Sequence, residues 1–115
     1  MTIVHIVLFQ FNSTVDAAAT DDIIKRMLAL KDQCVRPDTG VLYIKSSIGG
    51  LNNSKEKYSD GLTHGFVVEF ENVQDRNYYV NEDSYHKAFQ AFTYGKIEKV
   101  RVIDFTPGEF REVHG

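Results

Sequence analysis

His5, His64 and His86 are the residues of this chain best suited to acid–base chemistry, and Tyr78, Tyr79 and Tyr85 crowd the last of them. A neutral imidazole works as a base near pH 7. A tyrosine hydroxyl beside it can hydrogen-bond an oxygen on which charge develops. Together they suit general acid–base chemistry. The plainer reading makes each histidine a hydrogen-bonded core residue, with Asp83 or Ser84 capping a helix among semi-buried tyrosines. Three imidazoles can also make a zinc site. No His-x-His or His-x-x-x-His spacing supports one here, and neither metal nor cofactor is expected. His114 lies in a polar tail and receives no role.

The elements that must position these groups follow from the pattern of apolar residues. Ile3 to Phe11 is β-branched and aromatic and reads as a strand. Asn12, Ser13 and Thr14 supply stop and cap chemistry. A helix to about Cys34 carries the stripe Ile23, Met27, Leu30 and Cys34, and Pro37, Asp38 and Gly40 end it. Val41 to Ile48 reads as a second strand closed by Gly49-Gly50. Leu51 to Gly61 is the long polar loop, with Lys55-Glu56-Lys57 solvated or forming a rim. His64 to Glu71 is the third strand. Asn72 caps a helix to about Val80, and Asn81, Glu82 and Asp83 interrupt it. Ser84 to about Tyr94 is a second helical piece stopped by Gly95, and Val100 to Phe105 is the last strand. Residues 1–115 thus form one domain with a short tail, 107–115.

The order βαββαβ predicts an α+β, ferredoxin-like protomer: an antiparallel four-stranded sheet with helices on one face. Alternate strand residues point to opposite sides. His5, Val7, Phe9 and Phe11 share a face, as do His64, Phe66, Val68 and Phe70, and this set is assigned to the helix-covered core. Two histidines on one apolar face need partners for four nitrogens, which points to a polar pocket. Phe9, Phe66, Phe89, Phe92 and the stripe Ile23, Met27 and Leu30 are expected to line it as an apolar channel. The opposite set includes Val4, Ile6, Leu8 and Val67. Side chains of this kind forfeit about 1.5–3 kcal/mol each when left in water, so a second copy is expected against them.

Composition excludes several classes of partner. The chain has 115 residues, 13 Lys and Arg, 16 Asp and Glu, and a net charge of −3. Such a balance repels polyanions, so neither nucleic acid nor an anionic membrane is expected. The order βαββαβ is also that of an RNA-recognition motif. Here the strand-three consensus lacks its leading basic residue and fits only with a deletion. The single cysteine, Cys34, reads as a packing residue of a reducing compartment, and the opening apolar run is too short to span a bilayer. A cytoplasmic protein is expected.

Val-His-Ile-Val-Leu-Phe-Gln-Phe at residues 4–11, Thr63-His64-Gly65-Phe66-Val67-Val68-Glu69-Phe70, the stretch from Tyr78 to Phe89, and Val102-Ile103-Asp104-Phe105 together resemble the stress-responsive dimeric α/β-barrel family. The resemblance covers essentially the whole chain and implies a homodimeric barrel. A characterised plant polyketide cyclase of that family performs an aldol condensation without metal or cofactor, using a histidine and a tyrosine. By resemblance the histidine is His86. The tyrosine matches Tyr79 best, with Tyr78 the other candidate because this chain has one more residue between the pair. His5 and His64 stand where that cyclase has cavity-lining histidines. Where it carries a His-Pro pair, this chain reads Asn81-Glu82-Asp83-Ser84.

Two classes of function follow. A cofactor-independent cyclase acting on a polyketide-like or β-keto substrate predicts a pocket within the protomer reaching Tyr79, His86, His5 and His64. A stress-responsive or small-molecule-binding dimer predicts a filled core, or binding without product. Fold alone does not choose between them.

Overall fold

Strand β1 (Ile3–Phe11) runs through the middle of the molecule because both of its faces are apolar and both of its edges are paired. The computed structural model describes residues 1–112, so His114 and the end of the tail lie outside the described residues. Helix α1 (Ala17–Ala29) follows, then a single 3-10 turn at Leu30–Asp32, strand β2 (Ile44–Leu51) and strand β3 (His64–Phe70). Helices α2 (Val73–Asn81) and α3 (Ser84–Thr93) lead into strand β4 (Ile97–Phe105). All pairings are antiparallel and the sheet order is β2-β3-β1-β4. This is the α+β, ferredoxin-like arrangement expected from the element order.

Each helix starts at a side chain that accepts an amide proton the helix leaves unpaired. Asp16, rather than Asn12, Ser13 or Thr14, accepts from the Ala19 amide at 2.8 Å. Asn72 accepts from the Asp75 amide at 2.8 Å. Helix α1 ends five residues before Cys34, whose amide bonds the Leu30 carbonyl at 2.9 Å as the chain leaves the 3-10 turn. Gly95, at φ 79°, takes the left-handed turn that ends α3.

Two boundaries differ from the sequence expectation for physical reasons. Strand β2 starts at Ile44, because Val41 and Leu42 join no neighbouring strand and Leu42 forms just an isolated bridge with Val35. It then runs through Gly49-Gly50 rather than ending there. A Cβ at Gly49 would collide with the Phe66 ring, so that aromatic ring already fills the place of the missing side chain. Strand β4 starts three residues early, at Ile97, beyond an irregularity at Gln10/Phe11.

Register arranges the sheet in rows, since directly paired residues share a face. On the helix side one row is Ser47, Val68, His5 and Asp104, the next Gly49, Phe66, Val7 and Val102, and the next Leu51, His64, Phe9 and Val100. The core sits here: Phe66, Val68 and Phe70 pack under Ile23, Met27 and Leu30 of the α1 region, with Tyr79 and Phe89 closing from α2 and α3. On the outer side Ile48, Val67, Ile6 and Ile103 form one apolar row across all four strands. Val4, expected on a partner-facing surface, is already buried within the protomer at 8 % exposure. Ile48 and Ile103, by contrast, are 68 % and 60 % exposed. No helix among the described residues is long and apolar enough to cross a membrane.

Candidate active site

A cavity of about 400 Å³ opens between the β1–β4 half of the sheet and helices α2 and α3. Its walls are mostly apolar, with Val7, Phe9, Met27, Phe89, Val100 and Val102 contributing. Its polar lining residues are His5, Arg76, Asn77, Tyr79, His86, Gln90 and Asp104. The volume is in the range of small-molecule sites. A larger hollow, about 600 Å³, lies on the outer sheet face beneath residues 52–62. No paired acid and base lines it, so the smaller cavity is the candidate site.

His86 reaches the cavity from the first turn of α3. Its Nδ1 stands 2.8 Å from the Tyr79 carbonyl oxygen. A carbonyl only accepts, so Nδ1 carries the proton and Nε2 keeps its lone pair. The imidazole stacks on the Tyr79 ring, centroids 3.9 Å apart and planes 19° from parallel. Burial pulls the His86 pKa below its ordinary 6.5, against a smaller opposing pull from the Tyr79 carbonyl. His86 is thereby kept a neutral base. Tyr79, 1 % exposed, has its hydroxyl pKa pushed up by burial first and by Cys34 and Asp83 next, so it stays a hydrogen-bond donor.

His5 enters from β1 with its ring edge toward Tyr79, centroids 5.8 Å apart. Its cross-strand partner on β4 is Asp104, and register alone brings them together. The His5 Nδ1 lies 2.6 Å from Asp104 Oδ1, and Arg76 Nη1 donates to Asp104 Oδ2 at 2.9 Å. The carboxylate thus bridges an imidazole and a guanidinium, and the cavity's two charged residues neutralise each other.

Of the residues singled out from sequence, His5, Phe9, Met27, Tyr79, His86 and Phe89 meet at this cavity. His64 does not. It lies four residues along β3 from Val68, the partner of His5, a separation of about 13 Å at 3.3 Å per residue. There its ring meets the Phe11 ring edge-on, its Nδ1 is 2.8 Å from Thr63 Oγ1, and burial lowers its pKa. Phe66, buried beneath Phe9 and beside Gly49, lies outside the cavity lining, as do Ile23 and Leu30, which are packed in the core. Tyr78 points the other way, packing edge-on against Tyr43 with Arg36 over its ring. Phe92 faces the groove between α1 and α3, under the Arg26 guanidinium at 4.0 Å. Arg76, Asn77 and Asp104 were not foreseen. The signal available for Asp104 was an acid in an otherwise apolar strand, Val102-Ile103-Asp104-Phe105. Among the described residues no three His, Cys, Asp or Glu side chains are grouped to hold a metal ion.

Fold and cavity define a class: a single-sheet α+β protomer with a histidine–tyrosine pocket under its helices. The chain belongs to the stress-responsive A/B barrel domain family, whose model matches residues 3–107. Among solved structures, a protein of Arabidopsis thaliana superposes with a TM-score of 0.80 at 24 % identity, over 96 % of this chain and 99 % of that one. The hydroxynitrile lyase of Passiflora edulis superposes with a TM-score of 0.80 at 20 % identity, over 96 % and 97 %. A dimeric ferredoxin-like protein of unknown function from Thermobifida fusca gives 0.68 at 18 % identity, over 91 % and 90 %. At these identities the likeness is one of fold. No curated protein sequence matches the chain significantly.

Proposed function

We propose that this protein is a homodimeric, cofactor-independent enzyme that forms an enolate from a neutral β-keto or polyketide-like substrate and closes it by aldol chemistry. The observation that carries the reading is the Tyr79–His86 pair, a neutral imidazole with its Nδ1 proton committed to a backbone carbonyl inside an apolar cavity. In the proposed reaction, His86 Nε2 takes a proton from a carbon between two carbonyls. The electron pair moves onto a carbonyl oxygen, which the Tyr79 hydroxyl hydrogen-bonds. The enolate carbon then adds to a second carbonyl, and the imidazolium returns its proton to the new alkoxide. A neutral substrate suits a cavity whose charges, Arg76 and Asp104, are already paired.

The same base and donor can break a carbon–carbon bond in the reverse sense. The likeness of fold to the Passiflora hydroxynitrile lyase favours testing a cyanohydrin beside the β-keto compounds. The dimer rests on the outer row Ile48, Val67, Ile6 and Ile103, with Leu8 beside it. The description of the Thermobifida fusca neighbour as dimeric supports it.

The decisive experiment incubates the purified protein with linear triketides and tetraketides, β-keto thioesters and an aromatic cyanohydrin, and follows products by mass spectrometry. Product from the wild type that His86→Ala abolishes without loss of fold supports the enzyme. Ligand-induced thermal stabilisation with no product from any substrate supports a binding protein instead.

A further inference from the structure

Helix α2 gives way to α3 through only Glu82 and Asp83, with both of their amides bonded to the Tyr78 carbonyl, at 2.8 and 2.9 Å. The angle at which α3 departs decides where His86, its third residue, points. Asp83 governs that junction. Its Oδ1 accepts the Tyr85 amide at 2.8 Å and the His86 amide at 3.2 Å. Its Oδ2 accepts the Tyr43 hydroxyl at 2.5 Å.

An ordinary helix cap is satisfied at the surface, where Ser or Asn serves as well as Asp. Asp83 is 1 % exposed, and a buried carboxylate is tolerated only where its oxygens are well partnered. The burial therefore accompanies something beyond capping, and Tyr43 shows what it is. Tyr43 lies just before β2, its ring stacked on Phe70 of β3 at 6.2 Å and edge-on to Tyr78 at 5.5 Å. Its hydroxyl thus reaches the Asp83 carboxylate from a ring packed against the sheet. Cys34, fully buried beside the pair, has its thiol pushed up to about 12 by burial and then by Asp83, so it adds no competing charge.

We infer that Asp83, tethered to the sheet by Tyr43, is a positioning residue for His86, holding the imidazole stacked on Tyr79 with Nδ1 on the Tyr79 carbonyl. Its importance for turnover rests on the reading of His86 as the base, but the geometry is testable without turnover. The link runs from the sheet through Tyr43 and Asp83 to the His86 backbone, while the Nδ1 contact fixes the other end of the same side chain.

The test compares the wild type with Tyr43→Phe, which removes the tether and leaves the cap. Asp83→Ser is the second variant, keeping a capping hydroxyl and removing the buried carboxyl group together with the tether. Ile23→Val, a buried change on α1, controls for general loosening. The readout is the pair of His86 imidazole nitrogen resonances in ¹⁵N-labelled protein above the titration of that residue. The wild type is expected to show one proton-bearing and one lone-pair nitrogen. In a folded tether variant the two signals move toward each other as the tautomer and ring orientation average, while Ile23→Val leaves them in place. On any substrate the enzyme turns over, kcat falls at least tenfold with little change in KM. A folded Tyr43→Phe or Asp83→Ser protein with wild-type His86 resonances overturns the inference. Moved resonances in a protein that turns over no substrate leave the tether standing and remove the enzymatic reading.

Discussion

Tyr79 holds His86 twice: its ring lies 3.9 Å from the imidazole centroid, and its carbonyl takes the Nδ1 proton at 2.8 Å. They stand seven positions apart in the chain, and the break at Glu82–Asp83 is what lets the imidazole fold back over the earlier helix. Tyr79→Phe preserves both holds and removes only the hydroxyl. Loss of one preorganised donor to a developing oxyanion costs about 10²–10³ in rate. The expected result is therefore a folded protein with unchanged His86 resonances and a kcat lowered by about that factor, measured on the substrate that the wild type converts. Unchanged turnover would assign the oxyanion contact to another group.

The lowered pKa of His86 sets the direction of two pH profiles. The proposed reaction needs the neutral imidazole, so its kcat is expected to rise with pH through that lowered value and to be flat at neutrality. Stability follows from proton uptake. Below 6.5 the unfolded histidine binds a proton that the folded one refuses, so the unfolded state is favoured increasingly as pH falls toward the folded pKa. His64 is shifted the same way by burial. Thermal melts between pH 7.5 and 5 should show the wild type losing more stability than His86→Gln. Parallel curves would mean that His86 titrates alike in both states.

Asp104 touches two partners that lose different things when it is removed. In Asp104→Ala the largely buried His5 keeps an Nδ1 proton without its acceptor, and Arg76 keeps a charge without its counterion. A buried donor left unsatisfied costs about 1–3 kcal/mol. Urea unfolding should show a loss in that range. Arg76→Met alone should cost less, because its guanidinium is a quarter exposed and the carboxylate keeps the imidazole.

Alternation and composition made the sheet legible. The parity of β1 and β3 assigned every core-facing residue to the side on which the structure places it, and Asn81–Asp83 marked the helix break. Parity cannot supply register. His5 and His64 share a face, yet pairing sets them four residues apart along β3, which is why one borders the cavity and the other meets Phe11. Asp104 and Arg76 were hidden for a related reason. Their meeting depends on the β1–β4 register and on where α2 crosses it, and neither is written in local periodicity. Asp83 was legible as a cap, but its tether to Tyr43 joins residues 40 apart.

Gly49 tests a packing argument that involves no polar group. It pairs with Phe66, whose ring occupies the space a Cβ would need. Gly49→Ala must push that ring toward Phe9, its neighbour at 5.6 Å. Overpacking of this kind costs about 1–3 kcal/mol. A lower urea midpoint with an unchanged slope is expected, and a neutral effect would mean that the ring has room to move.

The outer face can be separated from the cavity by two substitutions on one strand. Ile103 belongs to the row Ile48, Val67, Ile6 and Ile103, whereas Val102, its neighbour, points to the helix side and lines the cavity. Both are more than half exposed in the protomer, so neither change leaves a hole in the core. If a second copy covers the outer row, Ile103→Asp buries an unpaired carboxylate there, and the proposed dimer dissociates. Val102→Asp places the same charge on the same strand but away from that row, so the dimer persists while the cavity gains an acid. Light scattering after size exclusion should give twice 13.1 kDa for the wild type and Val102→Asp, and 13.1 kDa for Ile103→Asp. A wild type of 13.1 kDa, or an Ile103→Asp protein that stays dimeric, would move the interface off this face. Reversal of the pair, with only Val102→Asp dissociating, would place the second copy over the cavity mouth instead.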